Sequence, residues 1–121
     1  MKVLIIEDDK RISDPIAECL ADKGFEVKAA ADSLLGIQFA HQFRPDLILL
    51  DLMMPLGGGL VVLESIRNTV FTQKTPIIII TGSHDAALKQ QLLKYGIHTY
   101  LQKPFDLQVL LAAIANAISP S

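Results

Sequence analysis

Glu7 and Asp8, Asp51 and Thr81 each stand where a short apolar run of the chain gives out, and Lys103 follows a half-apolar one. The runs are residues 3–6, 47–50, 77–80 and 99–102. If these runs are parallel strands, their tips share one edge of a sheet, where ligands of open α/β sheets bind. Three carboxylates there repel one another, by about 4 kcal/mol for a pair about 4 Å apart at intermediate dielectric. A cation relieves that repulsion. An all-oxygen, partly hydrated ligand set suits Mg²⁺, which takes one or two carboxylates together with phosphate and water. Lys103 adds a compact positive charge and Thr81 a small hydroxyl. Cation, ammonium and hydroxyl make a cradle for phosphoryl oxygens, with a carboxylate as nucleophile. Asp51, at the end of a wholly apolar run, reads as the acceptor of that group.

The elements that must position these residues follow from periodicity. Short apolar runs bounded by breakers read as strands buried on both faces. The first strand covers residues 3–6, a weaker second one residues 25–30, and the third runs to Asp51. The fourth is Ile77–Thr81 and the fifth Thr99–Gln102. Between them Ile12, Ile16 and Leu20 mark a first helix, which Gly24 stops. Pro15 is either its first residue after an Asp14 cap or a kink in a helix that starts earlier. Leu34, Ile37 and His41 mark a second helix, ended near Arg44 and Pro45. Residues 55–59 read as a loop, and Leu60, Leu63 and Ile66 open a third helix. Residues 73–76 form a turn. Leu88, Leu92 and Tyr95 face inward from a fourth helix, with Gly96 after it. Asp106 caps a fifth, which carries Leu107, Leu110, Leu111, Ile114 and Ile118. Five strands alternating with five helices imply an α/β three-layer sandwich with parallel strands and right-handed crossovers.

The 121 residues suit one domain, 1–121, with 119–121 as a tail or linker start. Half the chain is apolar, enough for a packed core. A net charge of −2 with mixed signs leaves no footprint for direct nucleic-acid binding. No apolar stretch approaches a membrane span, and acids follow the apolar N-terminus too soon for a signal peptide, so the expected location is cytoplasmic. The single Cys19 excludes an intrachain disulfide and reads as packing. His41, His84 and His98 lack metal-ligand spacing. Asp9 reads as a solvated turn residue.

Ile6-Glu7-Asp8, Leu50-Asp51-Leu52-Met53-Met54-Pro55, Ile80-Thr81-Gly82 and Tyr100-Leu101-Gln102-Lys103-Pro104-Phe105 resemble the response-regulator receiver, or CheY-like, domain. The resemblance covers essentially the whole chain, with the motifs in order. It implies a flavodoxin-like (βα)5 fold with strand order 2-1-3-4-5, an order carried over from the family. It implies Asp51 as phosphoacceptor, with a histidine kinase or phosphotransfer protein as donor. Asp8, Asp51 and the backbone carbonyl of Met53 would bind Mg²⁺, with Glu7 acting through water. Lys103 would pair with the phosphoryl oxygens, before a cis bond to Pro104. Thr81 and Tyr100 would be the switch residues, placing the output on helix four, strand five and helix five. The expected chemistry is confined to self-phosphorylation and self-dephosphorylation, without turnover of other substrates. Inverting a two-state balance from 1:99 to 99:1 takes about 5.5 kcal/mol of differential interaction.

Three departures stand out: Gly57-Gly58-Gly59, expected to make a mobile loop, Ile97 where a small residue is usual, and Pro15. From Leu107 to Ser121 no residue is charged. The face carrying Gln108, Ala112, Ala115 and Asn116 therefore reads as a contact surface for an effector domain, a second copy or another partner. Two other functions share the architecture. A Mg²⁺-dependent phosphatase with an Asp nucleophile, resembling the haloacid dehalogenase superfamily, needs an acid two residues after the nucleophile. Met53 stands there and cannot transfer protons. A flavin module needs a hydroxyl- and glycine-rich loop after the first strand, where Glu7-Asp8-Asp9 would repel phosphate.

Overall fold

The computed structural model describes residues 1–54, 58–82 and 86–119. Its elements, in chain order, are β1 (Lys2–Ile6), α1 (Lys10–Asp22), β2 (Glu26–Ala30), α2 (Ser33–Phe43) and β3 (Leu47–Asp51). They continue with α3 (Gly58–Arg67), β4 (Ile77–Thr81), α4 (Ala86–Leu93), β5 (Thr99–Gln102) and α5 (Leu107–Ile118). The five strands form one parallel sheet in the order β2-β1-β3-β4-β5.

Alternation along the strands builds two cores. Val3, Ile5, Leu47, Leu49 and Ile78 meet Ile16 and Leu20 of α1 and Leu110 and Ile114 of α5. Leu4, Ile6, Ile48, Leu50, Ile77 and Ile79 meet Ala40 and Phe43 of α2, Val62, Leu63 and Ile66 of α3, and Leu92 of α4. The three central strands are thus covered on both faces, which is why their sequences show no polar alternation. Register follows: Ile6 lies opposite Leu50, Asp51 opposite Ile80, and Thr81 opposite Gln102. The polar tips therefore come out on one edge.

Of the two starts left open for α1, the structure shows the one before Pro15. α1 begins at Lys10, and Asp9 is its cap, accepting from the Arg11 N–H at 2.9 Å. Asp9 is thus a capping residue and not merely a solvated turn. Pro15 lies inside the helix, where it leaves the Arg11 carbonyl without its usual donor. Both residues are on the exposed side, where water can serve that carbonyl. In α2 the buried residues are Gly36, Ala40 and Phe43, whereas Leu34 is 78 % exposed and His41 is exposed too. Small residues mark that face because β1 passes close: a methyl on Gly36 would sit 2.9 Å from Ile6. α4 ends at Leu93, so Tyr95 belongs to the turn after it, and Gly96 supplies a left-handed φ of 67°.

α3 begins at Gly58, so two of the three glycines assigned to a loop are helical and buried. A Cβ on Gly59 would overlap the Leu52 backbone, and one on Gly58 would overlap the Ser33 side chain. These glycines permit close approach of α3 to the end of β3. Residue 57 and His84 lie outside the described residues, as do 120–121. Gly59→Ala is expected to lower stability by about 2 kcal/mol, because backbone must move to admit the methyl. Thermal denaturation checks this, and an unchanged midpoint contradicts the close-approach role.

Candidate functional site

Each element end delivers one polar group to the same edge. β1 ends in the buried Ile6, and the Glu7 N–H continues the ladder by donating to the Ala30 carbonyl at 3.0 Å. Glu7 is 1 % exposed and Asp51 2 %, whereas Asp8 is exposed. One carboxylate oxygen from each of Glu7, Asp8 and Asp51 lies within 4.8 Å of the others. Lys103 enters from the end of β5. Its Nζ donates to Glu7 Oε1 at 2.8 Å and stands 3.3 Å from Asp51 Oδ2. The Lys103 N–H donates to the Thr81 carbonyl at 2.7 Å, which fixes the tip of β5 to the tip of β4. The Lys103–Pro104 peptide is cis, as the motif led one to expect. Asp51 Oδ1 accepts from the Met53 N–H at 3.1 Å, and Glu7 Oε2 from the Asp9 N–H at 3.2 Å.

The structure thus brings Glu7, Asp8, Asp51 and Lys103 together, with fully buried Thr81 at the adjoining tip. Met53 turns its side chain outward, 59 % exposed. Tyr100 stands apart, half-buried on β5 against the α2–α3–α4 side, with the Lys89 ammonium 5.4 Å from its ring centroid. Two features escaped sequence reasoning. The Glu7–Lys103 bond spans 96 residues, a separation that no local pattern reports. The Arg11 guanidinium forks onto Asp9 at 3.1 and 3.0 Å and holds its carboxyl below the usual range, although the Asp-x-Arg spacing at a helix start was a readable signal. That fork occupies an acid adjacent to the cluster.

Burial pushes the Glu7 carboxyl up to about 7; the hydrogen bond from Lys103 opposes this, and the neighbouring Asp51 adds to it. Burial alone would lower the Lys103 ammonium, but its bond to Glu7 and the charge of Asp51 outweigh that and raise it. Without a divalent ion, Glu7 therefore stabilises the fold while protonated. That contribution is whole below about 4.5, the range of the unfolded chain, and is lost as pH rises to about 7. Glu7→Gln cannot ionise. In chelator, its stability relative to the parent is expected to rise by on the order of 3 kcal/mol between acid and mildly alkaline pH. Urea denaturation at both ends of that range measures it, and parallel curves for the two proteins contradict it.

A family model described as response regulator receiver domain matches residues 3–115. The DNA-binding dual master transcriptional regulator RpaA of Synechocystis is 37 % identical over 113 residues, covering 93 % of this chain and 47 % of that protein. The response regulator ArlR of Staphylococcus saprophyticus is 41 % identical over 113 residues, covering 93 % and 50 %. The chain spans about half the length of the curated relatives it matches. Among solved structures, the Vibrio cholerae chemotaxis protein CheY4 superposes with a TM-score of 0.89 at 30 % identity, over 97 % of this chain and 98 % of that one. With the sheet order and the tip residues already in place, these likenesses settle the family: the chain belongs to the receiver domains of two-component response regulators.

Proposed function

We propose that Asp51 is the phosphoacceptor of this receiver and that residues 1–121 work as one unit, with 119–121 as its margin. The observation that carries the reading is the gathering of three carboxylates within 4.8 Å, with one ammonium 2.8 and 3.3 Å from two of them. The donor set is hard oxygen, partly exposed through Asp8, and fits Mg²⁺. Asp8, Asp51 and the Met53 carbonyl would hold the ion, with Glu7 acting through water, and the ion would supply charge neutralisation on the phosphoryl oxygens.

The chain's own groups do the rest. An Asp51 carboxylate oxygen forms the new P–O bond while the bond from phosphorus to the donor's imidazole nitrogen breaks, leaving the imidazole to take a proton. The donor is a histidine kinase or phosphotransfer protein. A hollow of about 430 Å³, lined by Ile12, Pro15, Pro104 and Phe105, adjoins Lys103 and offers such a donor an apolar seat. Lys103 gives up part of its pairing with Glu7 and Asp51 to meet the incoming oxygens. The Thr81 hydroxyl turns to the same group, and Tyr100 moves inward behind it. Water later hydrolyses the acyl phosphate, so the chemistry is self-directed and not turnover of other substrates. The phosphatase alternative gains nothing from Met53, whose exposed side chain carries no proton.

The output face is α4, β5 and α5. The outer positions Gln108, Ala112, Ala115 and Asn116 of α5 are exposed and uncharged, which supports contact with an effector domain, a second copy or another partner. Among the described residues no helix is long and apolar enough to cross a membrane, in keeping with a cytoplasmic location. Acetyl phosphate with Mg²⁺ is expected to label the parent stoichiometrically and Asp51→Asn not at all. Equal labelling of both removes Asp51 as acceptor. Lys103→Met is expected to lower the labelling rate by at least about tenfold, read by mass spectrometry over time, since one charge-assisted contact is lost. An unchanged rate contradicts the role given to Lys103.

A further inference from the structure

Arg67, the last residue of α3, makes an unusual set of contacts. Its Nε donates to the Tyr95 carbonyl at 2.6 Å and its Nη2 to the Gly96 carbonyl at 3.3 Å. Its Nη1 faces the carbonyls of Thr72, Gln73 and Thr75 at 3.2, 3.2 and 2.8 Å. The guanidinium is half-buried, and among the described residues no carboxylate pairs with it. Five backbone carbonyls in place of an acid mean that the fork serves two chain segments at once, which a point charge such as lysine cannot do. Glu64, one turn earlier, accepts from the Tyr95 hydroxyl at 3.1 Å and reinforces the same junction.

The two segments are the turns that lead into β4 and β5. Thr75 lies two residues before β4, and Gly96 three before β5. The His98 N–H donates to the Ile77 carbonyl at 2.8 Å and closes the same end of the sheet. Thr81 and Lys103 lie at the opposite end. A change at the acidic edge therefore reaches strands whose far ends are tied down. We propose that Arg67 is a positioning residue for the switch: it clamps the α4–β5 turn to the α3–β4 turn, so that β5 and the base of α4 tilt about a fixed end instead of sliding.

This rests on the reading of Asp51 as acceptor. The geometry predicts unequal motion at the two tyrosines, one at the clamp and one on the strand. Tyr100, midway along β5, changes surroundings on phosphorylation, whereas Tyr95 at the clamp does not. The chain has only these two tyrosines, so fluorotyrosine labelling gives two ¹⁹F signals, assigned with Tyr95→Phe. With Mg²⁺ and beryllofluoride as phosphoryl mimic, the Tyr95 displacement in the parent is expected to be less than about a fifth of the Tyr100 displacement. In Arg67→Met that ratio is expected to grow at least about threefold, and amide exchange at residues 95–97 to rise by about tenfold as the carbonyl contacts go. Ile66→Val, a destabilised control, keeps the parental ratio. If the Met variant does not fold, Arg67→Lys serves, since it keeps the charge but cannot bridge both turns. Equal displacement of both tyrosines in the parent overturns the clamp, as does an unchanged ratio in the Arg67 variant or the same change in Ile66→Val. Failure of acetyl phosphate to label Asp51 in the parent overturns the acceptor reading instead. The exchange rates then still decide the clamp, and unchanged exchange at residues 95–97 overturns it.

Discussion

The feature on which the rest depends is electrostatic crowding. Two buried carboxylates and one exposed one are held at the tips of β1 and β3 by a sheet that cannot yield. Every residue of 3–6, 47–50 and 77–80 is fully buried, and moving a tip acid away would drag these apolar side chains with it. Lys103 offsets part of the repulsion by bridging Glu7 and Asp51. The remaining excess of negative charge makes the edge receptive to a cation. With a divalent ion bound, the negative charge of the edge would be offset, and a carboxylate there could accept an anionic group, as proposed for Asp51.

Under the proposed function, the same rigidity would turn a local charge change into a movement. Lys103 has two demands on one ammonium, and the proposed phosphoryl group on Asp51 would add a third. Its backbone is bonded to the Thr81 carbonyl, so whatever pulls Lys103 also pulls the junction of β4 and β5. β5 is the least buried of the inner-face partners on that side, with only half-buried and exposed residues. Displacing it costs less apolar contact than displacing the fully buried β3 or β4. Tying its opposite end to α3 through Arg67 converts that freedom into a directed tilt.

Most of the fold was legible in the chain. β1, β3 and β4 announced themselves because burial on both faces leaves uninterrupted Val, Leu and Ile runs, and the acid or hydroxyl after each run marked the edge. The inward helix residues Ile16, Leu20, Leu92, Leu110 and Ile114 also followed their spacing. What failed were places where small residues do structural work. Gly36 and Ala40 face the core of α2 while Leu34 points outward, because proximity to Ile6 selects against bulk. Gly58 and Gly59 looked like a flexible loop, yet they open α3, and Leu52 and Ser33 leave no room there for a Cβ. For α1 the sequence left two starts open, and the structure takes the earlier one, with Asp9 as the cap and Pro15 inside the helix. At the candidate site, the residues that the structure gathers were readable, but the Glu7–Lys103 bond was not, since it depends on two segments at opposite ends of the chain.

The crowding is best tested by measuring stability against Mg²⁺ concentration for the parent and Asp51→Asn in metal-free buffer. Removing one charge should make Asp51→Asn the more stable protein without the ion. The parent alone should gain steadily with Mg²⁺, by about 1.4 kcal/mol at tenfold excess over its dissociation constant. A parent indifferent to Mg²⁺, or an Asp51→Asn protein less stable than the parent in its absence, would contradict an edge held under electrostatic strain.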